Sequence, residues 1–266
     1  MDSELKIDFD TVQNRFWEDW LGERGLPLIK CSGLEKWYSG VHALKNVSVS
    51  LAPGECVGLV GDNGAGKSTL IKILSGVHRP DGGEVQIDGR TVDIESPRTA
   101  MRLGIETIYQ TNSMVPAMSI ARNLFIGREP LKWSVLGIGP MDRRAMNENS
   151  VRALKDVDLE LRSPETPVGE LSGGQRQGVA IARAMHFKSR VVILDEPTNH
   201  LSVKEIGKVL GFVRGLKAQG ITAIFISHNI QHVFECCERV IAMARGEIIA
   251  DRKVNETSVE EISALL

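Results

Sequence analysis

The stretch Gly61-Asp62-Asn63-Gly64-Ala65-Gly66-Lys67-Ser68-Thr69 decides the fold of this 266-residue chain. Its first eight residues fit the pattern G-x-x-x-x-G-K-[ST], in which backbone N–H groups and a helix N-terminus face the phosphates of a nucleotide. An apolar strand candidate at residues 56–60 leads into the stretch, and apolar side chains recur with helical spacing behind it. This order predicts a nucleotide-binding α/β fold, with a chance glycine-rich turn as the less favoured alternative.

Two further strand candidates end in polar residues, at the sheet edge where ligands bind in open α/β folds. The apolar run 191–194 ends in Asp195-Glu196, and the run 221–226 ends in Ser227-His228. Lys67 would contact the β- and γ-phosphates, Ser68 and Asp195 would hold Mg²⁺, and Glu196 would orient or deprotonate the attacking water. A solvated strand end is the alternative for the two carboxylates. His228 could donate to the γ-phosphate, although a lone histidine at a strand end is more often structural.

Gln110 and Tyr38 are weaker candidates when each is taken alone. Gln110 follows the strand candidate 105–109, where it could meet both Mg²⁺ and the attacking water. Tyr38, next to Trp37, could stack on a purine base, and core packing of either ring is the alternative.

The segment Leu171-Ser172-Gly173-Gly174-Gln175 is a second glycine-rich helix start. A nucleoside triphosphatase does not need this segment for its own nucleotide. Because the N–H groups of a helix start attract anions, the segment predicts a second nucleotide that is bound on a second chain.

Composition excludes several other classes of function. The 32 basic and 34 acidic side chains give a net charge of −2, which provides no overall field for nucleic acid or an acidic membrane. No apolar run approaches the roughly 20 residues that span a bilayer, and the acidic start has no signal-peptide core. These features predict a cytosolic protein. The four cysteines, Cys31, Cys56, Cys236 and Cys237, lack a C-x-x-C spacing and are expected to be buried rather than to bind zinc.

Three regions are predicted along the chain. Residues 1–27 form an amphipathic extension with a net charge of −4 over residues 1–26, which disfavours anionic lipid and leaves packing on the domain, packing on a partner, or disorder. Residues 28–250 form one domain, with a helical subdomain inserted at about residues 113–186. Residues 251–266 form a helical tail whose start, Ser258 to Glu261, fits a capping box.

Tyr38, the phosphate loop, Gln110, the 171–175 segment, Asp195-Glu196 and His228 stand in an order and spacing that resembles the ATP-binding cassette (ABC) ATPases. The resemblance covers about residues 28–250. It implies a P-loop NTPase core with a mixed sheet and flanking helices, an antiparallel β subdomain and a helical signature subdomain. It also implies a head-to-tail dimer around two ATP molecules, with Ser172 and Gly174 on the γ-phosphate held by the partner's loop.

The same resemblance implies a role for each candidate residue. ATP would bind Tyr38 and residues 61–69, Mg²⁺ would bind Ser68, Gln110 and Asp195, and Glu196, His228, Gln110 and Lys67 would carry the catalysis.

A finer resemblance lies in Gly104-Ile105, Ile108-Tyr109-Gln110, Met118-Ser119-Ile120 and residues 123–129. These look like the ATPase subunits of bacterial monosaccharide importers of the ribose, xylose and fructose group. The resemblance implies a membrane permease, a periplasmic or extracellular sugar-binding protein, a peripheral position on the cytoplasmic side of the inner membrane, and no nucleic acid.

Three alternatives are weighed against the importer. A ribosome-acting ABC protein would normally carry two cassettes and a charged linker, and a repair ATPase would need a long coiled coil, whereas the sequence has one cassette and no sustained heptads. The motor of an ABC exporter is harder to separate, because its cassette chemistry is the same.

The sequence departs from the family pattern after Glu196-Pro197-Thr198. Where the family often has Ser-Ala-Leu-Asp, this chain has Asn199-His200-Leu201-Ser202. The departure predicts altered communication between the two halves of the dimer and unaltered nucleotide binding. The stretch 198–201 also resembles the soluble translation-associated ABC proteins.

Overall fold

The computed structural model describes residues 26–109, 114–133, 139–157, 159–161, 163–199 and 201–266. Nearly all of the predicted N-terminal extension, and with it the amphipathic helix, lies outside these residues. So do Gln110 and His200.

A six-stranded mixed sheet forms the centre of the molecule. Its strands are β3 (Cys56–Val60), β6 (Ile105–Ile108), β7 (Val191–Asp195), β8 (Thr222–Ile226), β9 (Arg239–Ala244) and β10 (Glu247–Lys253). They lie in the order β10-β9-β3-β8-β7-β6, with every neighbouring pair parallel except β9 and β10. The predicted mixed sheet is confirmed.

A second, antiparallel sheet lies beside the first, as the family resemblance implies. It contains β1 (Ile29–Tyr38), β2 (Val41–Leu51), β4 (Gly82–Ile87) and β5 (Arg90–Val92) in the order β2-β1-β4-β5. Both terminal nitrogens of the Arg190 guanidinium donate to the Asp88 carboxylate over 2.7 Å. This bidentate pair connects the turn after β4 to the start of β7 in the central sheet.

Eight helices flank the sheets in the described ranges. They are α1 (Lys67–Leu74), α2 (Pro97–Arg102), α3 (Ile120–Phe125), α4 (Arg143–Lys155), α5 (Gly173–His186), α6 (Val203–Ala218), α7 (Ile230–Cys236) and α8 (Val259–Leu265). Short 3₁₀ turns occur at Val168–Glu170 and Val254–Glu256. Helices α3, α4 and α5 pack on one another within the stretch predicted as helical. None of the helices in this part of the chain is both long enough and apolar enough to span a bilayer.

The hydrophobic core lies on both faces of the central sheet, as alternation along its strands dictates. Val192 and Leu194 of β7 join one apolar cluster, and Val191 and Ile193 join the other. All four cysteines are buried and unbridged, as predicted. Burial raises the pKa of Cys31 to about 12, so this thiol is inert at neutral pH.

The end of the chain packs on the domain. Strand β10 continues to Lys253, beyond residue 250, and Ile262 of α8 is fully buried in the core cluster, where α8 packs on α7. Ser258 accepts a hydrogen bond from the Glu261 N–H, as the predicted capping box requires. The Glu261 carboxylate accepts instead from the Thr257 hydroxyl, so the reciprocal half of the box is replaced.

Candidate nucleotide-binding site

The phosphate loop connects β3 to α1, and its backbone admits only glycine at key positions. Gly61 has φ 147° and Gly66 has φ 108°, in the region that L residues with a side chain rarely adopt. A Cβ on Gly61 would lie 2.2 Å from the Met243 carbonyl oxygen, and one on Gly66 would lie 2.9 Å from that of Ala43. Helix α1 starts without a side-chain cap, so its first N–H groups face the loop. This arrangement fits an anion such as a phosphate.

The remaining loop residues divide by exposure. Ala65 is buried and Thr69 half-buried, whereas Asp62, Asn63, Gly64 and Ser68 are exposed to solvent. The exposed Ser68 hydroxyl therefore lies at the surface of the loop, at the position predicted for a ligand of Mg²⁺.

Lys67 is buried within this loop and has a depressed pKa. Its Nζ donates to the carbonyl oxygens of Gly61 (2.5 Å) and Asp62 (3.0 Å). Burial lowers the pKa of Lys67, and the negative charges of Glu196, Asp195 and Asp62 partly oppose this. The phosphate loop and the carboxylate pair follow the ends of β3 and β7, which flank β8 in the parallel part of the sheet, so both lie at the same sheet edge.

The carboxylate pair lies at the end of β7. Burial raises the pKa of Asp195, and the adjacent charge of Glu196 raises it further, while Lys67 and Lys72 lower it. The backbone of Glu196 is left-handed, with φ 48°, and its N–H donates to the Ile226 carbonyl at the end of β8. The chain therefore leaves the regular strand conformation at Glu196, while the different tasks of the two carboxylates stay a prediction.

Two donors hold the Glu196 carboxylate. The Asn199 side-chain amide and the His228 Nδ1, at 2.9 Å, both contact Glu196 Oε2. Glu196 is mostly buried, whereas the His228 side chain is 64% exposed. The structure thus brings together Glu196 and His228, which the sequence placed at two different strand ends. Asn199 was missed, because an amide in a loop carries no motif.

The site around Gln110 is described only as far as Tyr109. The Tyr109 hydroxyl donates to Ser75 Oγ over 2.8 Å, which ties the end of β6 to the end of α1. Gln110 itself lies outside the described residues, and its role stays a prediction.

Tyr38 lies at the end of β1 and is half-buried. Its ring meets His78 edge to face at 5.4 Å, and its hydroxyl is buried without a hydrogen-bond partner among the described residues. Trp37 is half exposed and stacks on His42 with ring centroids 3.8 Å apart. Stacking of Tyr38 on a base stays a prediction.

The 171–175 segment, the signature segment from here on, starts α5 as predicted. Ser172 is the N-cap: its hydroxyl accepts from the Gln175 N–H (3.2 Å), and its N–H donates to the Gln175 side chain (2.9 Å). Leu171 is buried, Ser172 is exposed and the two glycines are half-buried. The start of α5 is therefore accessible from outside.

Glu205, on the first turn of α6, contacts the signature segment. Its Oε1 accepts from the Ser172 hydroxyl and from the Gly174 N–H, each over 3.1 Å. Its Oε2 accepts from the Ser202 N–H (3.0 Å) and hydroxyl (2.8 Å). These bonds, led by the Ser202 N–H, lower the pKa of Glu205 to about 2. The sequence reasoning missed Glu205, although Ser202-x-x-Glu205 is itself a capping box.

Known proteins resemble this chain along most of its length. Residues 44–199 match the family described as ABC transporter. The xylose/arabinose import ATP-binding protein of Sulfolobus acidocaldarius is 42% identical, over 90% of this chain and 93% of that protein. The fructose import ATP-binding protein of Rhizobium meliloti is 44% identical, over 80% of this chain and 84% of that protein. A ribose import ATP-binding protein of Rubrobacter xylanophilus is 44% identical over 84% of this chain, which spans only 44% of that relative.

Solved structures share the fold. A nucleotide-free ATP-binding cassette from an ABC transporter superposes with a TM-score of 0.77 at 27% identity, over 90% of this chain and 95% of that one. A dimeric cassette in a post-hydrolysis state, bound to ADP and Pi, gives 0.72 at 28% identity, over 85% and 98%. The predicted fold class is confirmed, and none of the relatives reported above is named as an exporter or a ribosome-acting protein.

Proposed function

Because the chain belongs to the ABC transporter family, whose cassettes bind and hydrolyse ATP, we propose that it is the motor subunit of a monosaccharide importer. The observation that carries the proposal is the phosphate loop, whose positive-φ Gly61 and Gly66 lead into the buried Lys67 at the start of α1, at the sheet edge where β7 ends in Asp195. The sugar class is supported by relatives named for the import of xylose or arabinose, fructose and ribose.

ATP binding is assigned to the phosphate loop. We propose that the triphosphate lies against residues 61–69, because the glycine backbone and the uncapped start of α1 present N–H groups there. Lys67 would transfer its hydrogen bonds from the loop carbonyls to the phosphates. The base would stack on Tyr38, at the end of β1.

Magnesium fits the oxygen donors at this edge of the sheet. We propose that the Ser68 hydroxyl, the Asp195 carboxylate and Gln110 hold the ion, since hard oxygen ligands suit Mg²⁺. When bound, the ion would neutralise negative charge on the β- and γ-phosphates. A cation beside Asp195 also offsets the burial that raises its pKa.

Hydrolysis is assigned to Glu196 as the general base. Its carboxylate is held by Asn199 and His228, which fixes the oxygen that would accept a proton from the attacking water. His228 is mostly exposed, so it can turn from Glu196 towards a γ-phosphate. Lys67 would stabilise the charge that develops on the phosphate.

The second cassette would complete the site. We propose a head-to-tail homodimer in which Ser172 and Gly174 donate to the γ-phosphate held by Lys67 of the partner. The exposure of Ser172 at the start of α5 supports this geometry. One of the similar solved cassettes is a dimer bound to ADP and Pi.

Transport would require further subunits. We propose that the dimer docks from the cytoplasmic side on membrane permease subunits, with the region of residues 110–128 as part of the contact surface. A periplasmic or extracellular sugar-binding protein would deliver the sugar to the permease. ATP-driven closure of the cassettes would then move the permease, and hydrolysis would reset it.

Reconstitution tests this function. The chain should co-purify from membranes with a permease, and its ATPase activity in proteoliposomes should rise when a binding protein loaded with xylose, ribose or fructose is present. Glu196→Gln should abolish the stimulated activity without loss of co-purification. Activity that no loaded binding protein changes, together with no membrane co-purification, would contradict the importer.

A further inference from the structure

The Glu205 carboxylate binds the first turns of two helices at once. Through Oε2 it caps its own helix, α6, and through Oε1 it reaches across to the signature segment at the start of α5. A Cβ on Gly174 would lie 2.8 Å from Glu205 Cγ and 2.9 Å from Oε1. Glycine at position 174 therefore allows the carboxylate to approach the backbone this closely.

The groups that Glu205 binds are those proposed above to bind the partner's nucleotide. The Ser172 hydroxyl and the Gly174 N–H each have one hydrogen to donate. A γ-phosphate and the Glu205 carboxylate would compete for these two hydrogens, and two anions at one helix start repel each other. Both cannot occupy this position together.

We infer that Glu205 is a positioning residue of the signature segment, whose carboxylate occupies the anion position at the start of α5 in the separated protomer and is displaced by the partner's γ-phosphate when the dimer closes. The inference rests on the proposed function, because that function supplies the phosphate in trans. Glu205 thereby keeps the segment ordered before closure and raises the ATP concentration that closure needs.

The structure provides a place for the displaced carboxylate. A cavity of about 470 Å³ lies between α5 and α6, lined by Ser172, Gly174, Glu205, Lys204 and Lys208 among others. Lys204 precedes Glu205, and Lys208 lies one turn further along α6. The Lys208 ammonium, three residues after Glu205 on the same helix, can pair with the displaced oxygen, while Ser202 keeps its hydrogen bonds to the other oxygen.

Competition predicts a gain of dimerisation when the charge is removed. In a Glu196→Gln background, Glu205→Gln should lower the MgATP concentration for half-maximal dimer, measured by sedimentation velocity, by roughly tenfold, the size typical of a hydrogen bond to a charged group. Glu205→Asp, too short to reach Gly174, should shift it in the same direction. Glu261→Gln is the matched control: Glu261 also stands third in its helix behind a serine cap, but contacts Thr257 and Arg252.

Hydrogen exchange provides a second measurement on the monomer without nucleotide. Glu205→Gln should speed exchange of the Gly174 amide, and Glu261→Gln should leave it unchanged. An unchanged or higher ATP requirement in Glu205→Gln, with a Glu196→Gln parent that dimerises normally, would overturn the inference alone. A parent that does not dimerise with MgATP would contradict the proposed function, and the inference with it.

Discussion

The phosphate loop and the signature segment both present a helix start to an anion, but different neighbours hold them in place. Gly61 and Gly66 face the backbone carbonyls of Met243 and Ala43, which cannot move without disturbing strands. Gly173 and Gly174 face the ends of two side chains, those of Leu201 and Glu205, which can rotate away. The loop is therefore fixed when the chain folds, and the signature segment can adjust.

This difference matches the two tasks proposed for them. A site for the chain's own nucleotide benefits from a rigid, preformed backbone, because no reorganisation is then needed on binding. A site for a nucleotide on another chain must change between the separate and the closed state. The phosphate loop and the signature segment should therefore respond differently to substitution.

Glu196→Gln should abolish catalysis at the nucleotide site that contains the phosphate loop. Hydrolysis should fall by roughly two to four orders of magnitude, the usual contribution of a general base, while ATP binding persists and a nucleotide-bound dimer accumulates. Phosphate release and binding of a fluorescent ATP analogue measure the two effects. Glu247→Gln, at the exposed start of β10, is the control. Normal turnover would remove Glu196 from the role of base.

Ser172→Arg should prevent the signature segment from binding the partner's nucleotide. The long cation removes a donor and blocks the start of α5, so hydrolysis should fall by roughly a hundredfold while the monomer still binds ATP. Loss of the N-cap should cost about 1 kcal/mol of folding stability. Ser258→Arg removes the equivalent cap of α8 and should cost similar stability without loss of turnover. An ATP-dependent dimer of Ser172→Arg in the Glu196→Gln background would contradict the contact in trans.

Two alanine substitutions compare the rigidity of the phosphate loop and the signature segment directly. Gly61→Ala places a Cβ against a backbone carbonyl at φ 147° and should destabilise the fold by about 2–4 kcal/mol. Gly174→Ala meets only a mobile side chain within a helix, so its free energy of unfolding should change by less than about 1 kcal/mol. Urea unfolding measures both. An equal loss of unfolding free energy in the two variants would show that the two segments do not differ in rigidity.

Asn199→Ala tests whether the Asn199 amide orients the Glu196 carboxylate for catalysis. Removal of one of the two donors on Glu196 should lower kcat roughly fivefold with little change in KM, since the carboxylate loses orientation and not its charge. Steady-state kinetics would show this. Asn199→Asp, which places a second carboxylate beside Glu196, should be worse than alanine.

The smallest effect is a pH dependence of stability. The pKa of Glu205 is lowered from 4.5 to about 2, so its stabilising contribution is complete above about pH 4.5 and is lost as the pH falls towards 2. Unfolding midpoints of the wild type should decline more steeply over this range than those of Glu205→Gln. Parallel declines would show that the carboxylate bonds do not persist in solution.

The sequence predicted the features that depend on contiguous residues. The phosphate loop, the buried β7 with Asp195 and Glu196, and the start of α5 each carry their pattern within about ten residues. The apolar run 191–194 forms the predicted strand, and its side chains alternate between the two core clusters.

Contacts that no sequence motif specifies could not be predicted in this way. Glu205 reaches Ser172 across 33 positions, and Asn199 approaches Glu196 because of a bend in the backbone. A capping box identifies the helix that Glu205 starts, but not the second helix that it also contacts. The sequence shows that Asn199 and Ser202 depart from the family pattern, and only the fold shows that they donate hydrogen bonds to Glu196 and Glu205.

The left-handed backbone of Glu196 affects how this protein would respond to laboratory evolution. Glycine or asparagine tolerates φ 48° better than glutamate does, and either one would also remove a charge beside the half-buried Asp195. A selection for heat resistance alone would therefore favour substitutions at position 196 that abolish turnover. Any thermostabilising screen of this chain needs a parallel selection for ATP turnover.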